Sequence, residues 1–95
     1  MTKTNYPTYG YGVKDFDQLT KKGKIFHALM GGAHLSPDNA NAIANTTEGT
    51  RFIRMIREFH PIEHDSFSVK GGKGTYYRYY FSDEHIKEIK DQIKN

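Results

Sequence analysis

Ninety-five residues fit a single domain, since chains usually divide only beyond roughly 150 residues per domain. The chain has no cysteine, which excludes a disulfide framework, a thiolate nucleophile and a cysteine-based zinc site. No apolar run approaches the ~18–20 residues that span a bilayer, and the amino terminus lacks the apolar stretch of a secretory signal; with a mildly basic net charge of +3, the expectation is a cytoplasmic protein with no membrane partner.

Residues 1–19 show no sustained period. Pro7, Gly10 and Gly12 interrupt them, and Tyr6, Tyr9 and Tyr11 stand among polar neighbours. They read as an arm, partly flexible or laid across the domain surface. From residue 20 the pattern turns helical: Ile25, Phe26, Leu29 and Met30 recur at helical spacings, and Gly31-Gly32 supplies a stop. Lys21, Lys22 and Lys24 open this helix, where their charge opposes the helix dipole, a conflict that either a phosphate or plain hydration relieves. A short second helix begins with Ser36 as cap, Pro37 and Asp38, and turns Ala40, Ile43 and Ala44 inwards. Thr46 or Thr47 then caps a third helix of about twelve residues, which runs to Phe59 and is ended by Pro61. On a wheel of ~100° per residue, Phe52, Ile53, Met55, Ile56 and Phe59 share one side. Thr47, Thr50, Arg51, Arg54, Arg57 and Glu58 share the other.

After Pro61 the period becomes two. Ile62, His64, Ser66 and Ser68 alternate with Glu63, Asp65, Phe67 and Val69, the run KGGKG reads as a hairpin turn, and TYYRYYF as a β-prone strand. Ser82 caps a last helix with Asp83 and Glu84 in its first turn and a narrow stripe of Ile86, Ile89 and Ile93. The expected fold is α+β: a winged helix, with a three-helix helix-turn-helix core and a two-stranded β-hairpin wing over residues 20–81. The extra C-terminal helix, 82–95, either packs on the domain or mediates dimerisation, so monomer and homodimer both remain open.

From Lys24 to Phe81 the chain also resembles a family of small winged helix-turn-helix proteins of phages and mobile elements. The matching segments are GKIFHALMGGAHLSPDNANAIANTTEGTRFIRMIREFHPIE and KGGKGTYYRYYF. They contain a glycine-bearing turn after the first helix, a hydrophobic-Ser-Pro start to the second, an arginine-bearing third helix closing at Pro-Ile-Glu, and a Lys/Gly hairpin leading into an aromatic-Arg-aromatic strand. The resemblance implies binding of double-stranded DNA, as a transcription regulator, excision factor or replication accessory. The tyrosine-rich arm and the C-terminal helix lie outside it.

In a helix-turn-helix the third helix enters the major groove. Arg51 and Arg54 are then the base readers, because a guanidinium fork bonds guanine O6 and N7 together. Thr47 and Thr50 sit near the helix start, where hydroxyls and N–H groups meet phosphates or bases, and Arg57 falls on backbone phosphate. The competing reading is a solvated face with Arg54 or Arg57 paired to Glu58 or Glu48. Lys70, Lys73 and Arg78 lie in a segment, 70–78, without an acidic residue, and suit a wing on a minor groove or flanking phosphates; the competing reading is a solubilising hairpin.

Other chemistries find less support. The GGKG run lacks the Gly-Lys-Ser/Thr ending of a phosphate-binding loop and precedes a strand. His60, Glu63 and His64 have metal-ligand side chains, but Pro61 destroys the helical spacing that would join the two imidazoles. No nucleophile motif or carboxylate pair marks an enzyme, and no cofactor is implied. The tyrosine-rich strand either stacks unpaired bases or fills the hairpin's inner face. A second function class is a protein-interaction winged helix that docks on a host enzyme or nucleoprotein through the tyrosine arm and the isoleucine stripe.

Overall fold

The helix-forming segments found above fold as α1 (Lys21–Met30), α2 (Pro37–Ala44), α3 (Gly49–Arg57) and α4 (Asp83–Lys94), with strands β1 (Glu63–Ser68) and β2 (Thr75–Tyr80) between the last two helices. The structure is a computed structural model that describes residues 5–68 and 75–94. Among the described residues it is an α+β architecture of four α-helices and one two-stranded antiparallel sheet, preceded by a 3-10 turn at Phe16–Gln18.

Local chemistry explains the helix starts. The Thr20 hydroxyl accepts the Gly23 N–H at 3.1 Å and caps α1. Two of its lysines lie over aromatic rings: the Lys22 ammonium is 4.8 Å from the Tyr9 ring centre and that of Lys24 5.5 Å from Phe16. At α2, Ser36 and Asn39 form a reciprocal capping box, at 3.1 and 3.2 Å, with Pro37 in the first turn. Asn45 ends α2 in the left-handed region, at φ 50°, a conformation asparagine tolerates better than most side chains.

The third helix is shorter than the sequence predicts. Neither threonine caps it: the Thr46 hydroxyl accepts the Glu48 N–H at 3.1 Å within the turn, and the first helical amide, Gly49 N–H, donates to Asn41 Oδ1 at 2.7 Å. The cap therefore comes from α2, eight residues back. At the other end α3 stops at Arg57, two residues before Phe59. That ring falls off the apolar side and is 59% exposed.

Helices α1, α2 and α3 pack mutually around Ile25, Phe26, Leu29, Met30, Ala40, Ala44, Ile53 and Ile56, all buried. Burying each of the larger side chains is worth roughly 1.5–3 kcal/mol. Gly49 is where α2 and α3 touch. A Cβ there would meet Asn41 Oδ1 at 2.6 Å and the Ala40 Cβ at 2.8 Å. The sheet register runs from Glu63 opposite Tyr80 to Ser68 opposite Thr75. On the other edge of β2, Leu35 and Tyr79 exchange both backbone hydrogen bonds at 2.8 Å. This one-residue rung ties the start of α2 to the sheet.

The two ends of the chain close the core. Ile86 and Ile89 of α4 are buried, whereas Ile93 is 39% exposed. Tyr6, Tyr9 and Tyr11 of the arm pack against the core, and the carbonyl of Tyr9 lies so near α1 that a Cβ on Gly23 would meet it at 2.7 Å. The Tyr6 N–H donates to Gln92 Oε1 at 2.8 Å while Gln92 Nε2 donates to the Tyr6 carbonyl at 2.9 Å. Beneath this clasp His60 and His85 are buried, 1% and 3% exposed. His60 Nε2 lies 2.7 Å from the Pro7 carbonyl and His60 Nδ1 lies 2.9 Å from His85 Nε2. A carbonyl only accepts, so Nε2 of His60 carries its proton, Nδ1 accepts, and His85 donates. Tyr6 stacks on His60 with centroids 5.1 Å apart and meets His85 edge-on.

Burial pushes the His60 imidazole below the usual histidine range, with the Pro7 carbonyl acting against it and His85 adding to it. Burial likewise lowers His85, against the opposing pull of Glu88. Both rings are thus neutral in the fold, whereas in the unfolded chain they take up protons near pH ~6.5. Stability is complete above that value and falls as pH drops from it towards the lowered folded values. The thermal midpoint is expected to hold between about pH 8 and 7 and to be lower at about pH 5, with His85→Gln flattening the slope; an unchanged midpoint across this range would refute the neutral pair. The Gly49 contact yields a second expectation. Gly49→Ala should cost about 1–3 kcal/mol in chemical denaturation, as overpacking does, and a cost near zero would show that α2 and α3 are free to separate.

Candidate functional site

The outward side of α3 follows from its inward one. With Gly49, Ile53 and Ile56 buried, Arg51, Arg54 and Arg57 are exposed and Thr50 is half-buried. Thr47 is exposed but lies in the turn before the helix. The three arginines are held differently. Arg51 donates to Glu48 Oε1 at 3.2 Å, with side chains 70% and 54% exposed. Such a helical pair contributes only about 0.3–0.5 kcal/mol, little enough for an external anion to displace Glu48. The Arg57 guanidinium lies 5.3 Å from the Tyr79 ring centre. Arg54 joins none of the ion pairs among the described residues. Glu58 binds neither Arg54 nor Arg57. The phenol of Tyr9 is raised first by burial and then by the charge of Glu58.

Two features of this surface come from chain topology. Beside the start of α3, Lys21 joins Asn41, Asn45, Thr46, Thr47 and Glu48 around an open depression of about 600 Å³, so the first helix adds a cation to the edge formed by the α2–α3 turn. Beyond the end of α3, Arg57 meets one face of the sheet. His64 and Tyr79 are opposed across the ladder and Tyr77 follows on the same face; together with Arg57 they line a depression of about 250 Å³.

The other face of the sheet holds Arg78. Its Nε and Nη2 donate to the two Asp65 oxygens, both at 3.1 Å. His34 Nδ1 lies 3.2 Å from Asp65 Oδ2, and the His34 ring stacks on Tyr80 at 4.2 Å and 9°. Desolvation pushes the Asp65 carboxyl up, but hydrogen bonds and charge from Arg78 and His34 outweigh it and hold the group below the usual carboxylate range. Segment 70–78 contains no acid, yet Asp65 is the Cα partner of Arg78 across the ladder. Register supplies the anion that local sequence lacks, so Arg78 is engaged within the fold. Lys70 and Lys73 lie outside the described residues.

His60 and His64 are separated by Pro61 as expected, one in the core and the other on the sheet. Among the described residues no group of three histidine, cysteine, aspartate or glutamate side chains is placed to hold a metal ion. Sequence reasoning did not find the cluster of Arg57, His64, Tyr77 and Tyr79. The alternation of β2 groups the two tyrosines, but their meeting with Arg57 depends on where α3 ends.

Compared with known proteins, the chain matches no family model, no curated protein and no solved structure at a significant level. The site's own chemistry must therefore carry the functional reading.

The role of Arg78 is open to measurement. A double-mutant cycle on Asp65 and Arg78 is expected to give a favourable coupling in chemical denaturation. Zero coupling would release Arg78 for an external ligand.

Proposed function

We propose that the chain is a winged-helix protein that binds double-stranded DNA, with α3 in the major groove and the β1–β2 hairpin as a wing on the backbone or minor groove. The observation that carries this reading is the outward face of α3: Arg54 and Arg57 are exposed and free of carboxylates among the described residues, and Arg51 is held only by a weak pair. The α2–α3 junction supports it, since the αL residue Asn45, the short turn and the glycine contact at Gly49 make a close-packed helix pair with one face outward. The order of helix, helix, helix and hairpin supports it as well. In this reading Arg51 and Arg54 address base edges, while Arg57, Thr50, Thr47 and Lys21 lie along phosphates. The resemblance noted above would make the protein a regulator or accessory factor of a phage or mobile element.

The alternative is a protein-interaction module docking through the tyrosine arm and the isoleucine stripe. It is the weaker reading because Tyr6, Tyr9, Tyr11, Ile86 and Ile89 are engaged in closing the fold's own core.

Titration of labelled duplex pools at several salt concentrations tests the proposal. The log–log salt slope is expected to be several units, reduced by about one in Arg57→Ala. Arg54→Ala should weaken the selected sequence by about 1–3 kcal/mol and relax specificity at one position. Absence of duplex binding at about 50 mM salt, where phosphate contacts are strong, would overturn the reading.

A further inference from the structure

The depression beyond α3 is built of rings. His64 and Tyr77 have centroids 5.6 Å apart at 69°, and His64 and Tyr79 are 6.4 Å apart at 52°. Tyr77 is 50% exposed. Arg57 covers Tyr79 and is the one cation among the four lining residues, none of which is acidic. A site for phosphate alone would converge several N–H donors on a point. This one offers aromatic faces with a single guanidinium at the side, in a volume of about 250 Å³ that is below the usual range for drug-sized ligands. Flat rings beside a cation match a nucleobase carrying its phosphate.

We infer that the Arg57–His64–Tyr77–Tyr79 depression binds one unpaired nucleotide of DNA at the end of, or extruded from, the duplex held by α3. The inference rests on the duplex-binding reading. Arg57 links the two sites because it stands in the last turn of α3 and lies on the Tyr79 ring. The base stacks on Tyr77, and Arg57 holds the phosphate between the paired and unpaired nucleotides. The opposite sheet face is unsuited to this task, because its arginine and histidine are bound to Asp65.

The test compares a blunt duplex with the same duplex bearing short 3′ or 5′ single-stranded extensions, and with the extension strand alone. One polarity of extension is expected to raise duplex affinity roughly five- to twentyfold, the scale of one stacked base. Tyr77→Ala should bring the ratio of extended to blunt affinity towards one, and Tyr77→Phe, which keeps the ring, should preserve it. Circular dichroism of both variants checks that the half-exposed position leaves the fold intact. Equal binding of blunt and extended duplexes would overturn the inference while leaving duplex binding standing. An extension preference that survives Tyr77→Ala would also overturn it. Tyr77-dependent binding of the single strand without duplex binding would uphold the nucleotide site and overturn the duplex reading. No binding of any of the three would overturn both.

Discussion

The presentation of α3 depends on its contact with α2 at Gly49. Asn41 accepts the first helical N–H of α3 from one turn into α2, while the absent side chain at Gly49 lets the Ala40 methyl and the Asn41 backbone sit directly against it. The hydrogen bond fixes where α3 begins, and the steric fit fixes how close it lies and which way it faces. A helix of nine residues is too short to be stable alone, so these constraints and the burial of Ile53 and Ile56 decide its orientation. The exposed arginines follow from that orientation.

A comparable constraint works at the far side of the core. His60 is joined by hydrogen bonds to the arm and to α4, and Tyr6 and Gln92 clasp over it. Segments more than fifty residues apart in sequence meet at one imidazole. Neutral histidine suits this place because it is simultaneously donor and acceptor, and because its body is flat enough to stack on Phe81 as well as Tyr6. Charging either ring would place a cation among aromatic and aliphatic neighbours. The ends of the chain are therefore held by protonation-sensitive bonds, while the α2–α3 junction relies on packing and amide chemistry that ordinary pH leaves alone.

Local signals were legible in the sequence where one element suffices to determine them. The apolar spacing of α1 with its Gly31-Gly32 stop and the Ser36-Pro37 start predict two helices, and the change of period after Pro61 predicts the hairpin. Signals split between distant segments were not legible. The start of α3 lies later than the local sequence predicts because its cap is Asn41, on another helix. Phe59 falls on the apolar side of the wheel only if the helix is continued past its true end at Arg57. Leu35 gave no strand signal, since one residue has no period. The structural role of His60 is hidden because nothing near it in sequence reveals Pro7 or His85. The arginine side of α3 was readable from its wheel alone; the engagement of Arg78 needed the register that sets Asp65 opposite it.

The arginines, compared with one another, separate structural charge from available charge. Arg78 has a fixed carboxylate fork, and Arg51 has a weak partner one turn away. Arg54 stands between Arg51 and Arg57 at successive helical spacings of three, where like charges oppose each other by about 0.2–0.5 kcal/mol per pair. Glu48 opens that row and pairs with Arg51, but among the described residues no acid pairs with Arg54 or Arg57. Glu58 is close in sequence but forms no ion pair with either. The repulsion persists on a face held rigidly by Gly49 and Ile56, and an external polyanion would relieve it while gaining the entropy of released counterions. The modest overall charge of +3 understates this surface, because the net count averages a clustered row of cations over the whole chain.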